Sequence, residues 1–286
     1  MITRLLILVV LLACGATLQA QPTLNESGEW ATVSQTARTI PRDSPYDKTF
    51  AERVPLPYEH IREADVFWEK RIWRVIDTRE KMNLPFRYPQ NPLVSVMINA
   101  GLDEQVTLYS AIDDKFSTPM TIEEMNQKLY KTDTIPIIDP DTDEITYKIV
   151  RDDFNPDDIK RFRIKEVWFF DEETSTLKVR ILGIAPLIEI FDDFGNVRYE
   201  VPLFWAYYPE LRHVLARTEA FNPLNDAARL SWDDIFEMRY FASMIYKASN
   251  VNDLRIQDYK SGLEVPHEAE RIKQEIFNFE HDLWTY

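Results

Sequence analysis

From residue 134 to residue 208 the chain is written almost entirely in strand-forming runs, separated by turns too short to carry a crossover. TIPII at 134–138 and ITYKIV at 145–150 flank an acidic turn, and RFRIKEVWFF at 161–170 leads through a polar turn to LKVRILGI at 177–184. LIEIF at 187–191 and VRYEVPLFWAYY at 197–208 are joined by the turn residues DDFGN. A parallel pair needs a connection of about a dozen residues or more, so strands joined this closely must pair antiparallel. The expectation is an antiparallel meander, and the helical patterns on either side of it make the fold class α+β.

The flanking patterns are read by their periods. In DVFWEKRIWRVIDTREKMNLP at 65–85, Trp68, Ile72, Val75 and Ile76 recur at helical spacing, so a helix is expected there. Asp65 would cap it, Asp77 and Lys81 would pair four apart, and Phe67 and Trp73 would lie toward its other sides. LVSVMINA at 93–100 and QVTLYSAI at 105–112 read as a hairpin around Gly101. Thr121-Ile122-Glu123-Glu124 is a capping box opening a short helix with Met125 and Leu129 on one face. From Pro209 the period is helical again. A helix starting at Ser231 would put Ile235, Met238, Phe241, Ala242 and Ile245 on one face, and a last helix near Pro266 carries Ile272, Ile276, Phe279 and Leu283. The organisation expected is a signal peptide at 1–20, an extended arm at 21–60, a helix plus antiparallel sheet at 61–208, and a helical region at 209–286 packed on it.

Met1 to Ala20 carries one positive charge, Arg4, then the apolar run Leu5 to Leu12, and ends in LQA before Gln21. That is the build of a secretory signal, too short for a membrane anchor, and it predicts a mature chain beginning at Gln21 without cysteine. Leu11-Leu12-Ala13-Cys14 also fits a lipobox, in which Cys14 would be lipidated. Pro22, Pro41, Pro45, Pro55 and Pro57 interrupt the polar stretch that follows. Proline fixes φ and biases the preceding residue to extended backbone, so 21–60 reads as an open arm: a disordered leader, or a segment that orders along a neighbouring subunit.

Composition removes several function classes. A hydrophobic share of 45% and an aromatic share of 13% suffice for a large core, so disulfides are not needed. The formal net charge of −15 disfavours phosphate backbones and anionic lipid, and suits a cationic protein surface. With glycine only at 15, 28, 101, 183, 195 and 262, neither a phosphate-cradling loop nor a dinucleotide fingerprint can be built, and no cofactor is expected. His60, His213, His267 and His281 form no metal-ligand spacing, and no catalytic or metal-binding residue is singled out. Asp139-Pro140-Asp141-Thr142-Asp143 has the carboxylate spacing that opens a calcium loop. Glu144 stands where the sharp turn needs glycine and Val150 where a bidentate glutamate belongs, so a solvated hairpin turn is the better reading.

FWEKRIWRVIDTREKMN at 67–83, supported by FWAYYPELR at 204–212 and SWDDIFEMRYF at 231–241, resembles the GldN/PorN family of the type IX secretion and gliding-motility apparatus. No catalytic motif comes with that family. The resemblance implies a non-enzymatic periplasmic subunit that joins a GldK/PorK-type outer-membrane lipoprotein in a ring-like scaffold and touches the outer membrane through partners. It also implies contact with a GldM/PorM-type inner-membrane motor component and self-association within the ring, with no nucleic acid bound. The alternative from another class is a periplasmic carbohydrate-binding or glycoside-acting domain using exposed tryptophans and carboxylates. Phe67, Trp68, Trp73, Trp205 and Tyr207 are the candidate partner-binding residues, because aromatic anchors concentrate at interfaces. Aromatics on both faces of a strand equally fit a sheet buried on both sides.

Overall fold

The computed structural model describes residues 52–112, 114–138, 145–152, 154–192 and 194–283, the hairpin within 131–152 by its backbone alone. All of these belong to the unit Thr49–Tyr286. The signal sequence with Cys14, most of the arm and the acidic turn Asp139–Asp143 lie outside the described residues.

The chain is α+β around an antiparallel sheet. Its first strand, β1 (Val66–Asp77), occupies the stretch whose spacing predicts a helix, and a 3-10 segment, Lys81–Arg87, follows it. The error has a physical origin: Trp68, Ile72 and Ile76 are four apart, a spacing that puts residues on one side of a strand as well as of a helix. What separates the two is the burial of Trp73 and Arg74, adjacent residues that a strand directs to opposite faces, and the β-branched and aromatic content of the run. Asp77 is accordingly not paired with Lys81 but accepts from Arg79 and Arg161.

The expected hairpin around Gly101 is also corrected. LVSVMINA forms α1 (Leu93–Leu102), buried nearly all round, and only Leu108–Tyr109 form a strand, β2, after it. Only Ser95 and Asn99 turn outward, a polar stripe too narrow to mark the period. Gly101 allows the close approach of the return: a Cβ there would lie 2.4 Å from Leu108 Cδ1.

The capping box holds as read. Thr121 Oγ1 accepts from Glu124 N and Glu124 returns to Thr121 N, opening α2 (Ile122–Leu129). β3 (Lys131–Ile138) and β4 (Ile145–Asp152) form a separate two-stranded sheet. β5 (Arg161–Asp171) pairs with β6 (Thr176–Phe191), a single strand where two runs were expected. β7 (Val197–Pro202) and β8 (Trp205–Tyr207) both pair with β6, and Pro209 then opens α3 (Tyr208–Arg217).

After the short pair β9 (Glu219–Ala220) and β10 (Leu230–Ser231), α4 (Trp232–Glu237) starts on the Ser231/Asp234 capping box. It stops sooner than its pattern suggests. The chain turns through Arg239 at φ 54° and enters β11 (Met244–Ala248), so Phe241 and Ile245 do not share a helix face with Ile235. α5 (Ile256–Tyr259) and α6 (Glu264–Leu283) complete the described chain. The order in the seven-stranded sheet is β11-β1-β5-β6-β8-β2, with β7 on β6.

The register assigns the core. Ile76, Phe162, Ile164 and Ile184 pack with α1, α3 and α4, and Ile72 with Ile245 packs against Ile272 and Ile276 of α6. Trp73, Ala185 and Trp205 form a third cluster on the other face of the sheet.

Candidate interaction surface

Three of the five aromatic candidates converge on that second face. Trp73 faces the same side as its neighbours across the ladder, Lys247 on β11 and Lys165 on β5. Trp205 and Tyr207 reach it from β8. Both tryptophans are enclosed by the chain itself, Trp73 at 6% exposure and Trp205 at 3%. The enclosing group is Phe116, whose ring lies 6.1 Å from Trp205, 5.4 Å from Tyr207 and 5.6 Å from Tyr109.

Phe116 rests over Gly183. A Cβ at that glycine would meet the ring at 2.5 Å, so no larger residue is accommodated beneath it. Phe116 itself holds φ 57°, a conformation an aromatic residue adopts only when its surroundings impose it. A lone glycine inside a strand run was the signal in the sequence that something approaches closely there. Phe116 as the approaching group, and Asp114 beside it, were not legible.

Asp114 fastens the same loop to the sheet. Its carboxylate accepts from Trp73 Nε1 at 2.5 Å, and its backbone carbonyl accepts from Lys165 Nζ at 2.5 Å. Lys247 Nζ lies 4.4 Å from the Trp73 ring centroid and pairs with Asp253 at 2.6 Å, so the indole contacts a cation held in place. Burial pushes the Lys165 ammonium below the usual lysine range, and Asp114 opposes that shift.

Phe67 and Trp68 sit elsewhere. Phe67 lies at a β-bulge of β1 and is 61% exposed, the most accessible of the five. Trp68 is half-buried, stacked on Phe279 of α6 with centroids 4.5 Å apart. Burial of Trp73 and Trp205 within the chain leaves Phe67 as the prominent aromatic of this set on the described surface. The five tryptophans among the described residues are buried (Trp73, Trp205, Trp232) or half-buried (Trp68, Trp168).

A second polar centre joins residues 53–60 to the core. Arg212 Nε and Nη2 donate to both oxygens of Asp233, at 2.9 and 3.1 Å, and Arg212 Nη1 donates to Leu56 O at 2.7 Å. The Tyr58 ring lies between two guanidinium groups, 3.7 Å from Arg180 and 4.1 Å from Arg212, while its hydroxyl donates to Glu237. Burial and the Glu237 carboxylate both push the Tyr58 hydroxyl far above its ordinary pKa, so it stays a donor at every physiological pH. The last residues of the arm are therefore seated on α3 and α4, where an open segment was expected.

The model of a family described as gliding motility associated protein GldN matches residues 61–285. No curated protein matches the chain.

Proposed function

This chain belongs to the GldN family of gliding-motility-associated proteins, and on that premise we propose that it is a structural, non-enzymatic subunit of the type IX secretion apparatus. In this reading it is exported to the periplasm and joins a GldK/PorK-type outer-membrane lipoprotein in a ring scaffold. It also meets a GldM/PorM-type motor component there and contacts other copies of itself. The observation that carries the reading is the extent of the match, which runs from just before β1 to the end of α6. The acidic balance, −15 overall, supports a role among cationic protein surfaces. No helix among the described residues is long and apolar enough to cross a membrane, in keeping with membrane contact through partners.

The test is purification of the native complex from outer membranes, with partners identified by mass. The lipoprotein is expected to copurify in fixed ratio, and loss of the chain is expected to stop secretion of cargo. Recovery of the chain alone from every fraction, with secretion intact in its absence, would overturn the proposal. Intact mass of the same preparation is expected to place the mature start at Gln21. A diacylglyceryl group on Cys14 would instead make the protein its own anchor.

A further inference from the structure

Two apolar features of the described surface stand open to solvent, one convex and one concave. The convex one is the end of the β6–β7 hairpin. Phe191 pairs across the ladder with Val197, and Ile190 with Tyr199; Phe191, Val197 and Tyr199 are all exposed. Consecutive residues of a strand point to opposite sides, so this hairpin end is apolar on both faces. Phe194 stands in the connecting turn at 91% exposure. The turn is firmly built: the Asp192 carboxylate accepts from Phe194 N at 3.0 Å and from Asn196 N at 2.8 Å, Asp192 N donates to Asn196 O at 2.9 Å, and Gly195 takes φ 79°. Phe194 is thus carried on a preformed tip, and little order has to be gained when it docks.

The concave feature is a groove of about 860 Å³ between the 3-10 segment Lys81–Arg87 and the turn after β9. Met82, Leu84, Phe221, Leu224 and Tyr240 line it and are exposed, Leu224 at 81%. Its floor belongs to the core, because Pro85 and Phe86 are buried and Phe86 packs on Trp232 and Phe236. Tyr88 and Phe221 stack on each other with centroids 4.5 Å apart, which fixes one wall. A flat surface would cover only one side of the hairpin end, whereas a groove takes both sides and the tip.

Knob and groove lie side by side. Lys160 Nζ pairs with Glu189 in the hairpin stem and lies 5.9 Å from the Phe191 ring centroid; three residues earlier, Asp157 lines the groove and pairs with Arg87. Arg161 ties the other strand of the stem, at Glu200, to Asp77, just before the 3-10 segment. A knob beside a hole on one surface is matched by the same surface of a second copy turned about a two-fold axis: each knob enters the other's hole, and the contact closes at two copies. The exposed parts of the five groove side chains and of Phe191, Phe194, Val197 and Tyr199 come to roughly 900 Å² per copy, enough for the ~800 Å² per partner of a standard interface.

We propose that this face joins two copies of the chain, the β6–β7 hairpin end of each, led by Phe194, seated in the groove of the other between Met82 and Leu224. The inference gives a surface to the self-contact named above and rests on that reading for its place in the assembly. Association of the isolated chain tests the surface separately from copurification of the lipoprotein.

The experiment is sedimentation velocity of the purified chain over a concentration series, with Phe194→Asp and Leu224→Asp measured alone and as an equimolar mixture in which one variant carries a fluorescent label. The parent is expected to pass from monomer to dimer. Each variant alone should need at least tenfold higher concentration to dimerise, with its thermal midpoint unchanged, since Phe194→Asp spoils both knobs and Leu224→Asp spoils both grooves. The mixture should recover part of the loss, because the intact knob of one variant meets the intact groove of the other. The proposal is overturned if the parent stays monomeric at every concentration or grows past the dimer into an open series. It is overturned equally if either variant dimerises as the parent does, or if the mixture associates no better than the variants alone.

Discussion

Glu166 is fully enclosed, and three donors converge on it: Arg74 Nε at 3.1 Å, Arg239 Nη2 at 2.9 Å and Trp168 Nε1 at 3.0 Å. A buried carboxylate of this kind is costly to remove, because its loss leaves cations without a counter-charge in a medium that cannot solvate them. Glu166→Leu is therefore expected to cost about 3–5 kcal/mol in urea unfolding, and adding Arg74→Met should restore part of the loss. A single variant within about 1 kcal/mol of the parent would show that water reaches the site. Asp77 is a different case, at the edge of the sheet. Hydrogen bonds from Arg79 and Arg161 hold its carboxyl well below the usual carboxylate range. A depressed acid contributes stability that is present above its unfolded pKa and is lost as pH falls through and below that value. Asp77→Asn should thus lower stability at pH 7 by about 1 kcal/mol after allowance for solvent screening, with the difference shrinking steadily as pH falls below about 4 toward the depressed native value. Parallel stability curves for the two proteins across that window would contradict the assignment.

Among the elements, β1 carries the most consequence. It is the second strand of the sheet, hydrogen-bonded to β5 along its length and to β11 over Ile72–Val75. Trp73 is packed between β5, β11 and the Phe116 loop, so Trp73→Ala should act on folding: about 3–5 kcal/mol, or a thermal midpoint lowered by roughly 10 °C. Trp73 at the centre of a docking surface would instead show an unchanged midpoint with weakened assembly, and thermal unfolding of the isolated chain separates the two. The Tyr58–Arg212–Asp233 centre works at the same scale. It ties a segment with no helix or strand to α3 and α4 through side chains that are far apart in sequence. Loss of either partner of the buried Arg212–Asp233 pair would release residues 53–60 as well as strand a charge.

At the scale of the whole molecule, the helices lie against one face of the sheet, while the other is covered in part by the Phe116 loop and lined by Lys165, Arg163 and Lys247. The cations Arg163, Lys165 and Lys247 share that face while the molecule as a whole is acidic. If acidic surface meets cationic partners in the assembly, its dissociation should be salt-dependent. Raising ionic strength from roughly 0.1 M to roughly 1 M shortens the Debye length from ~10 Å to ~3 Å, and copurification of partners is expected to fall across that range. Retention that does not change with salt would place the contacts in apolar grooves instead.

The sequence alone determined whatever depends on neighbours within a few residues. The Thr121/Glu124 and Ser231/Asp234 boxes, the amphipathic stripe of α6 and the turns between β5 and β6 and between β6 and β7 are local, and each is found where its residues predict it. The run 67–83 was also specific enough to mark the family whose model matches 61–285. Only the tertiary structure decided between periods that share a spacing of four, which is why β1 is a strand. The helix α1 was equally illegible, since burial of most of its circumference narrows the polar face to Ser95 and Asn99. Tertiary structure alone also decided whether each aromatic side chain points outward. Phe116 covers Trp205 from a loop about ninety residues earlier, and α6 covers Trp68 from about two hundred residues later. Burial of this kind is a property of long-range packing, and no pattern confined to the buried residue's own strand can carry it.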